Sequence, residues 1–537
     1  MAKYKYIMVL AFASVSSVLG NFADRVISYD PGVGYAKSFS GVGYTNSNAA
    51  LGQPNRDTSF GPVQPFNPPF DLSEIVSMGT NGSITLRMAT PVINGNGADF
   101  VLYGNTGFID VDYPNGRTDS AASTFGENPG TTRVWVSADD NVYYLLNPAM
   151  APVVDQLFPT DGAGHFGVPL NPALTRSNFY NVSLQQIRQL YAGSAGGTAY
   201  DVAWAEDNAG NPVFLPAIRY VRIEVLTGRA ELDGIAGVPG RAMFAENFSG
   251  PPTHWQVHGK SSLFATNAGA LNVTWDSREP NSYFYHKLGT VLARDDDFRF
   301  EFDLTLRDLE IGVTPNRPYT FEVALGLINL RSATAPDFFR GQFSGTRNIV
   351  EFDYFPAFSS FGATVASTIV SSNNMFAYTH NFPLEMPTGD LFHVSMNYTA
   401  GNSTLLTTMT RNGEPFGPLE TTSLGATFSD FRVDAFAISS YTDDRADGSI
   451  LAHGAVDNVV IIYPEGPSTQ LTGRFVSGTF EARFMSRSNW YYQLEHSSDL
   501  TAWNLVGALT PGTGGELTLT HQNPSAHSFY RVRAERP

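Results

Sequence analysis

The sequence predicts an all-β protein in which β-sandwiches follow one another along the chain. Glycine occurs 50 times and proline 33 times in 537 residues, and both residues break helices. Alternating apolar and polar residues, as in Gly82–Met88 and Ala217–Val225, are typical of half-buried strands. Charged residues make up only 15 % of the chain, and the length exceeds what one hydrophobic core accommodates. We therefore expect several β domains rather than one.

Charge and cysteine content exclude several classes of function. The formal net charge is −17, so phosphate backbones and anionic lipids repel the chain, and we expect no nucleic-acid partner. The absence of cysteine excludes thiol catalysis and cysteine-ligated zinc. A chain without disulfides is held together by its cores, with a bound metal as a further stabilising option.

The first twenty residues have the composition of a secretory signal peptide. Lys3 and Lys5 precede a short apolar run over Ile7–Ala13, and small residues lead to Gly20, after which we predict cleavage. The apolar run is too short to cross a bilayer, although an uncleaved anchor is the alternative. We expect a mature protein that is secreted, held at the cell surface or located in the periplasm, with no membrane insertion after cleavage.

The first mature block is predicted over residues 21–240. One helix is expected where Leu184, Ile187 and Leu190 recur at a spacing of three, with Gly193 as its C-terminal stop. Glu231–Val238 is predicted to be the last short strand, and a boundary follows near residues 239–240.

Five segments of this block resemble discoidin-type, galactose-binding-like jelly rolls common in exported proteins of Planctomycetes and Verrucomicrobia. They are Ser-Ile-Thr-Leu, Asp-Phe-Val-Leu-Tyr-Gly-Asn, Val-Trp-Val-Ser-Ala-Asp, Ile-Arg-Tyr-Val-Arg-Ile and Glu-Leu-Asp-Gly-Ile. The resemblance implies a jelly-roll sandwich with structural calcium at Asp99, Glu231 and Asp233. Against calcium, the Asp-Gly pair at 233–234 is also a common turn signal.

A second block is predicted over residues 241–463 and a small C-terminal β module over 464–537, after the linker Pro464-Glu-Gly-Pro467. The opening Phe-Ser-Gly, the central Ile-Val-Glu-Phe-Asp-Tyr and the closing Val-Asp-Asn-Val resemble concanavalin A-like lectin and glucanase domains. The predicted fold is therefore two consecutive jelly-roll β-sandwiches followed by a small β module.

Glu351-Phe-Asp353 is the sharpest candidate for chemistry. Residues i and i+2 of a strand share a face, so the two carboxylates lie side by side. The glucanase pattern Glu-x-Asp-x-Glu has Phe355 in place of its second Glu, and we expect no catalysis of that type. The lectin form of the fold uses the Glu and Asp as metal ligands, but residues 354–364 lack the Asn and Asp that complete the set. The alternatives are a ligand-binding face and simple pairing with arginines.

Aromatic residues can stack on sugar rings, and Trp255, Trp275, Tyr283 and Tyr285 are the candidates. The resulting hypothesis is a non-catalytic binding protein for glycans or polysaccharides. A structural or adhesive surface protein and a polysaccharide hydrolase or lyase are the alternatives, since one fold supports many functions. The sequence makes no prediction of oligomeric state.

Overall fold

The computed structural model describes residues 5–9, 21–126, 130–155, 158–267, 269–340, 345–358, 361–443, 447–522, 524 and 528–536. Most of the predicted signal peptide lies outside these residues, so its cleavage stays a prediction. Strand β1, Lys5–Val9, pairs antiparallel with Phe529–Glu535. Within the described ranges, none of the helices has the length and apolar character needed to cross a membrane.

The chain divides into two compact units, one formed by Ser17–Arg241 and the other by Met1–Ser16 with Ala242–Pro537. The strands of the first unit are β2 Ala23–Asp30, β3 Asp57–Thr58, β4 Gly61–Pro62, β5 Val76–Gly79, β6 Ser83–Ile93, β7 Phe100–Tyr103, β8 Gly107–Phe108, β9 Thr124–Phe125, β10 Thr131–Ser137, β11 Tyr144–Leu146, β12 Thr198–Tyr200, β13 Ala205–Glu206, β14 Ala217–Thr227, β15 Arg229–Leu232 and β16 Gly234–Gly237. Its helical segments are α1 Leu184–Tyr191 and the 3₁₀ turns Ser47–Ala50, Arg176–Phe179 and Val202–Trp204.

The main sheet of the first unit has the strand order β13-β11-β10-β14-β6-β2, and a smaller sheet has the order β12-β7-β16. The predicted helix is confirmed as α1, with Ser183 as the N-cap and Ala192 in the left-handed conformation at its end. The segment predicted as one strand after residue 230 is two strands in the structure. β15 pairs with β5 and β16 pairs with β7, and Asp233 lies buried between them.

The strands from β17 onwards, together with β1, form the second unit, and β17 begins at Arg241, the last residue of the first unit. They are β17 Arg241–Glu246, β18 Trp255–His258, β19 Phe264–Asn267, β20 Ala270–Asp276, β21 Ser282–Ala293, β22 Phe298–Ile311, β23 Val323–Ile328, β24 Ile349–Phe358, β25 Gly362–Val370, β26 Phe376–Asn381, β27 Phe392–Thr399, β28 Thr404–Arg411, β29 Glu414–Phe416, β30 Thr422–Ser423, β31 Arg432–Ser440, β32 Ile450–Pro464, β33 Ser468–Val476, β34 Thr479–Ser486, β35 Tyr491–Ser497, β36 Asn504–Pro511, β37 Glu516–Gln522 and β38 Phe529–Glu535. Helix α2 spans Leu330–Ala333, and a 3₁₀ turn spans Ser261–Leu263.

Two large antiparallel sheets make a sandwich in this unit. A nine-stranded sheet follows β19-β20-β32-β22-β27-β28-β29, with β17 and β30 attached, and a seven-stranded sheet follows β18-β21-β31-β23-β24-β25-β26. Aromatic rings meet across the interior, where Phe302 lies 5.6 Å from Phe352 and Phe300 lies 5.6 Å from Phe436. The all-β fold class is confirmed, and the core lies between the two sheets.

The strand register divides the seven-stranded sheet into two faces. Phe352 and Phe436 point into the core, so their neighbours in sequence point away from it. We call the side opposite the core the outer face. Glu351 and Asp353 of β24 belong to this outer face, because successive side chains of a strand alternate.

The C-terminal strands form a small module within the same unit. Its sheets follow β33-β34-β37 and β1-β38-β35-β36. Trp490 and Tyr492 are fully buried, and the rings of Phe480 and Tyr530 stack at 3.7 Å. Val291 of β21 joins this core, so a sandwich strand contributes directly to the packing of the module.

Candidate functional site

Two rows of side chains cross the outer face, because residues paired across antiparallel strands point the same way. One row runs through Tyr285, Ala437, Gly326, Glu351, Thr368 and Tyr378. The next row runs through Tyr283, Ser439, Ala324, Asp353, Ala366 and His380. The predicted carboxylates and tyrosines therefore share one surface of one sheet.

Arg340 occupies the point at which the carboxylates of this face converge. It lies in the segment that connects β23 to β24, which we call the excursion, and its side chain is only 5 % exposed. Nε donates to Glu351 Oε2 at 3.0 Å, and Nη2 donates to Asp353 Oδ2 at 2.8 Å. Glu322 Oε1 lies 3.4 Å from the same Nε. The predicted alternative in which the pair is neutralised by an arginine is the arrangement that the structure contains.

Two neutral hydroxyl groups donate further hydrogen bonds to the carboxylates of this buried cluster. Tyr441 donates its hydroxyl proton to Glu351 Oε1, and Thr368 Oγ1 donates to Asp353 Oδ2 at 2.6 Å. Both oxygens of Glu322 and Oδ1 of Asp353 have no hydrogen-bond partner among the described residues. One guanidinium therefore faces three carboxyl groups, and the cluster carries excess negative charge unless protons are bound.

Burial determines how the carboxyl groups of the cluster titrate. Loss of solvation raises the pKa of Glu351 to about 7, against the opposing effect of Arg340. Burial also raises the pKa of Glu322 well above its ordinary value, and the charges of Asp353 and Glu351 act in the same direction. Proton uptake at these two groups offsets the excess negative charge around Arg340.

This cluster does not have the arrangement of a glycosidase centre. A retaining or inverting enzyme places two carboxyl groups on either side of the bond that it cleaves, open to substrate. Glu351 and Asp353 are 0 % exposed, and Arg340 binds both. In this structure they bind Arg340 and so hold it on the outer face.

Beside the buried cluster, the outer face carries a group of exposed and half-buried aromatic rings. We call Phe355, Phe358, Phe361, Tyr378, His380 and Phe382 the aromatic patch. Phe361 lies 4.4 Å from Phe382 and 6.0 Å from Phe358, between ring centroids. Phe358 lies 5.1 Å from His380, which stacks on Tyr378 at 4.6 Å. The rings form a continuous series from β24, through Phe361 just before β25, to the edge strand β26 and Phe382 just after it.

The exposure of the aromatic patch is high for apolar side chains. Tyr378 is 55 % exposed, Phe382 is 47 % exposed and Phe361 is 43 % exposed. Contiguous exposed apolar surface marks binding sites more often than single exposed residues do. Burial lowers the pKa of His380, so its ring is neutral near pH 7 and adds no positive charge to the patch.

Tyr283 and Tyr285 lie on the outer face but are covered. Tyr283 is fully buried and donates its hydroxyl proton to the carbonyl of Ala333, in the excursion that follows β23. Tyr285 is buried and donates to Gln256 at 2.8 Å. Burial raises the pKa of both phenols. These tyrosines support the covered part of the face rather than the open part.

The two predicted tryptophans point into the sandwich. Trp255 of β18 stacks on Phe284 at 4.8 Å and packs against Phe248 at 5.6 Å. Trp275 of β20 is 1 % exposed and belongs to the hydrophobic core. Neither ring lies on the outer face, because the register of each strand turns it towards the interior.

The predicted calcium ligands lie in the first unit and are occupied by protein donors. Asp99 is 0 % exposed, pairs with Arg241 and accepts from the amide of Val202 at 2.7 Å. Asp233 accepts from the side chain of Asn55 at 2.6 Å. Glu231 lies 3.6 Å from Arg229.

Burial raises the pKa of Asp99 to about 7 and that of Asp233 to about 8. A calcium ion needs six to eight oxygen ligands. Over the ranges that the structure describes, no three His, Cys, Asp or Glu side chains are arranged to hold a metal ion. In this structure the three carboxyl groups have protein partners, and calcium binding at them stays a prediction.

Comparison with known proteins gives likenesses at the level of structure. No protein-family model matches the chain, and no curated protein matches it. The lectin UEA-II complexed with galactose is 12 % identical, with 42 % of this chain and 100 % of that chain covered and a TM-score of 0.30. Lectin I from Ulex europaeus, in complex with a methyl glycoside of fucose, is 13 % identical, with 42 % and 99 % covered and a TM-score of 0.29. An alginate lyase is 10 % identical, with 41 % and 96 % covered and a TM-score of 0.26.

Proposed function

We propose that this protein is an exported, non-catalytic glycan-binding protein whose aromatic patch stacks on sugar rings. The observation that carries the proposal is the series of exposed and half-buried rings on the outer face of the seven-stranded sheet. Tyr and Phe provide large, rigid contact surface at a low cost in conformational entropy. The net charge of −17 directs the partner towards neutral glycan surfaces rather than nucleic acid or anionic lipid.

Several features support a binding role over the alternatives. The carboxyl groups that a hydrolase of this fold would use are buried and bound to Arg340. The sequence before Asn21 supports export to the cell surface or beyond, where polysaccharides are available. An adhesive protein would use the same exposed rings against another protein surface, and the experiment below separates the two functions.

The test is a panel of glycans and polysaccharides applied to the full mature chain, with calcium and with chelator. We expect Phe361→Ala and Tyr378→Ala each to weaken binding at least about tenfold, the loss typical of a central aromatic contact. Tyr180→Ala is the matched control, because Tyr180 is 44 % exposed and belongs to the first unit. It should bind as the wild type does.

Other outcomes would contradict the proposal in defined ways. Release of reducing sugar from the same wells would establish hydrolysis. If chelator abolishes glycan binding of the wild type, and both patch variants weaken that binding equally, a metal lies at the sugar site. Absence of binding to every glycan, together with self-association or attachment to cells, would leave the adhesive function.

A further inference from the structure

A cavity of about 510 Å³ lies at one end of the sandwich, where the C-terminal module packs against it. Its wall combines the turn after β21, the start of β31 and two residues of the module. The charged and amide groups of the wall are Arg294, Asp295, Asp430, Arg432, Asn489 and Arg536. We call this cavity the arginine cleft. It is separate from the aromatic patch, since the two share no residue.

The arginine cleft concentrates guanidinium groups within a strongly acidic chain. Three arginines line it, against the carboxylates of Asp295 and Asp430 in its wall and the buried carboxylate of Asp296 behind Arg536, whereas the whole chain carries −17. The side chains of Asp295 and Asp430 are 56 % and 34 % exposed. Exposed carboxylates are screened by water and salt, so the charge available to a ligand depends on which arginine has no carboxylate partner.

The three arginines differ in their partners. Arg432 pairs with Asp430 at 2.6 Å, and Arg536 pairs with Asp295 and Asp296. Arg294 instead uses neutral acceptors. Its Nη1 donates to the carbonyl of Phe428 at 2.7 Å, and Nε and Nη2 both lie 3.4 Å from Ser403 Oγ. No carboxylate of the described residues forms an ion pair with Arg294.

Arg294 also keeps donor capacity for a ligand. A guanidinium carries five N–H donors in a planar fork, and the two contacts to Ser403 Oγ are long, weak hydrogen bonds. The fork matches the spacing of two oxygens in a carboxylate or sulfate group, which it binds through two parallel bonds. Asn489 adds an amide to the wall, although its own contacts go to Asp295 and Asp296.

We propose that the arginine cleft binds an oxyanion of the carboxylate or sulfate class, with Arg294 as the residue that contacts it. Such groups occur as free ions and as substituents of acidic glycans, so the experiment must distinguish these two sources. The site goes beyond the glycan-binding function, because it does not depend on the aromatic patch and would persist if the patch bound nothing.

The experiment measures anion binding to the full mature chain by titration calorimetry. The probes are sodium sulfate and sodium acetate, compared with sodium chloride at equal ionic strength, and a galacturonic acid oligomer compared with a neutral galactose oligomer. Arg294→Gln should weaken binding of the oxyanion probes at least tenfold. Arg307→Gln is the matched control, since Arg307 also binds neutral acceptors, Asn272 Oδ1 at 2.7 Å and the carbonyl of Gly454 at 2.9 Å.

Each outcome decides the proposal. Binding of sulfate or acetate that Arg294→Gln alone removes supports the cleft, and stronger binding of the galacturonic acid oligomer assigns the anion to a glycan. Equal effects of the oxyanions and chloride, or equal losses in both variants, would show general screening and overturn it. If Arg294→Gln does not fold, Arg294→Lys replaces it, since lysine keeps the positive charge but lacks the planar fork. Arg294→Lys should still weaken binding of the oxyanion probes. Wild-type affinity of Arg294→Lys would also overturn the proposal.

Discussion

Replacing Arg340 with methionine should lower the free energy of unfolding of the second unit by about 3–5 kcal/mol, the cost of removing one partner from a buried ion cluster. Methionine fills a similar volume but leaves Glu322, Glu351 and Asp353 without their cation, and all three are buried. The measurement is urea-induced unfolding at pH 7.5. The loss should shrink at pH 5, because protonation of the carboxyl groups removes the unpaired charge.

Arg347→Met is the control for this prediction. Arg347 belongs to the same excursion and pairs with Asp337 at 2.9 Å, but the side chain of Asp337 is 70 % exposed. Exposed pairs contribute about 0–1 kcal/mol, so this variant should remain close to the wild type. Equal losses in the two variants would mean that the excursion is held by its packing rather than by the buried charges.

The arrangement of Glu351 and Asp353 shows what local sequence could predict. Alternation along a strand places i and i+2 on one face, and the structure confirms that both carboxylates point to the outer face. Their partner could not be found in the same way. Arg340 reaches them from the connection between β23 and β24, and no periodicity of the sequence specifies where such a connection folds.

The aromatic residues show that the sequence alone did not predict which rings point to the outer face. Tryptophan is a residue type that sugar-binding surfaces use, but the strands of Trp255 and Trp275 pair in a register that turns both rings inward. The aromatic patch does have a sequence signal. Tyr378 and His380 alternate with smaller residues, so one strand presents two rings on one face, and Phe382 follows the end of that strand. Deciding that this face is the outer one required the pairing of β25 with β26.

The first unit gives a similar lesson for charged residues. Asp99, Glu231 and Asp233 were expected to be calcium ligands from their positions in a resemblance. Arg241, which pairs with Asp99, comes 142 residues later in the chain, and Asn55, which binds Asp233, comes 178 residues earlier. Partners at such separations depend on the tertiary fold, so residue type and spacing alone could not choose between metal and protein donors.

Glu322→Gln should stabilise the second unit at pH 8, because the wild type must either keep a proton on Glu322 at that pH or bury its charge. Burial and the neighbouring carboxylates raise the pKa of Glu322 well above its ordinary value of 4.5 in the folded chain. The folded state therefore retains a proton that the unfolded state releases. Stability is complete below pH 4.5 and is lost as the pH rises towards the folded pKa.

Glutamine removes this pH-dependent penalty and keeps the shape of the side chain. It also supplies N–H donors to a cluster in which Asp353 Oδ1 has no partner among the described residues. The test is the free energy of unfolding between pH 4 and 8 for the wild type, Glu322→Gln and the exposed control Glu414→Gln. The difference between Glu322→Gln and the wild type should increase with pH, while the control follows the wild type.

The titration of Glu351 determines the pH range in which the free energy of unfolding of the Glu322→Gln variant should still change. Its pKa is raised from 4.5 to about 7, so the Glu322→Gln variant should still lose stability between these two values and level off above them. A profile that stays flat from pH 4 to 8 would mean that Glu351 has the same pKa in the folded and unfolded states, and stability that rises from pH 4 to 5 would mean that Arg340 keeps it ionised. A difference that decreases with pH would show that Glu322 is stabilised as a carboxylate, and that the buried cluster holds its negative charge without protons.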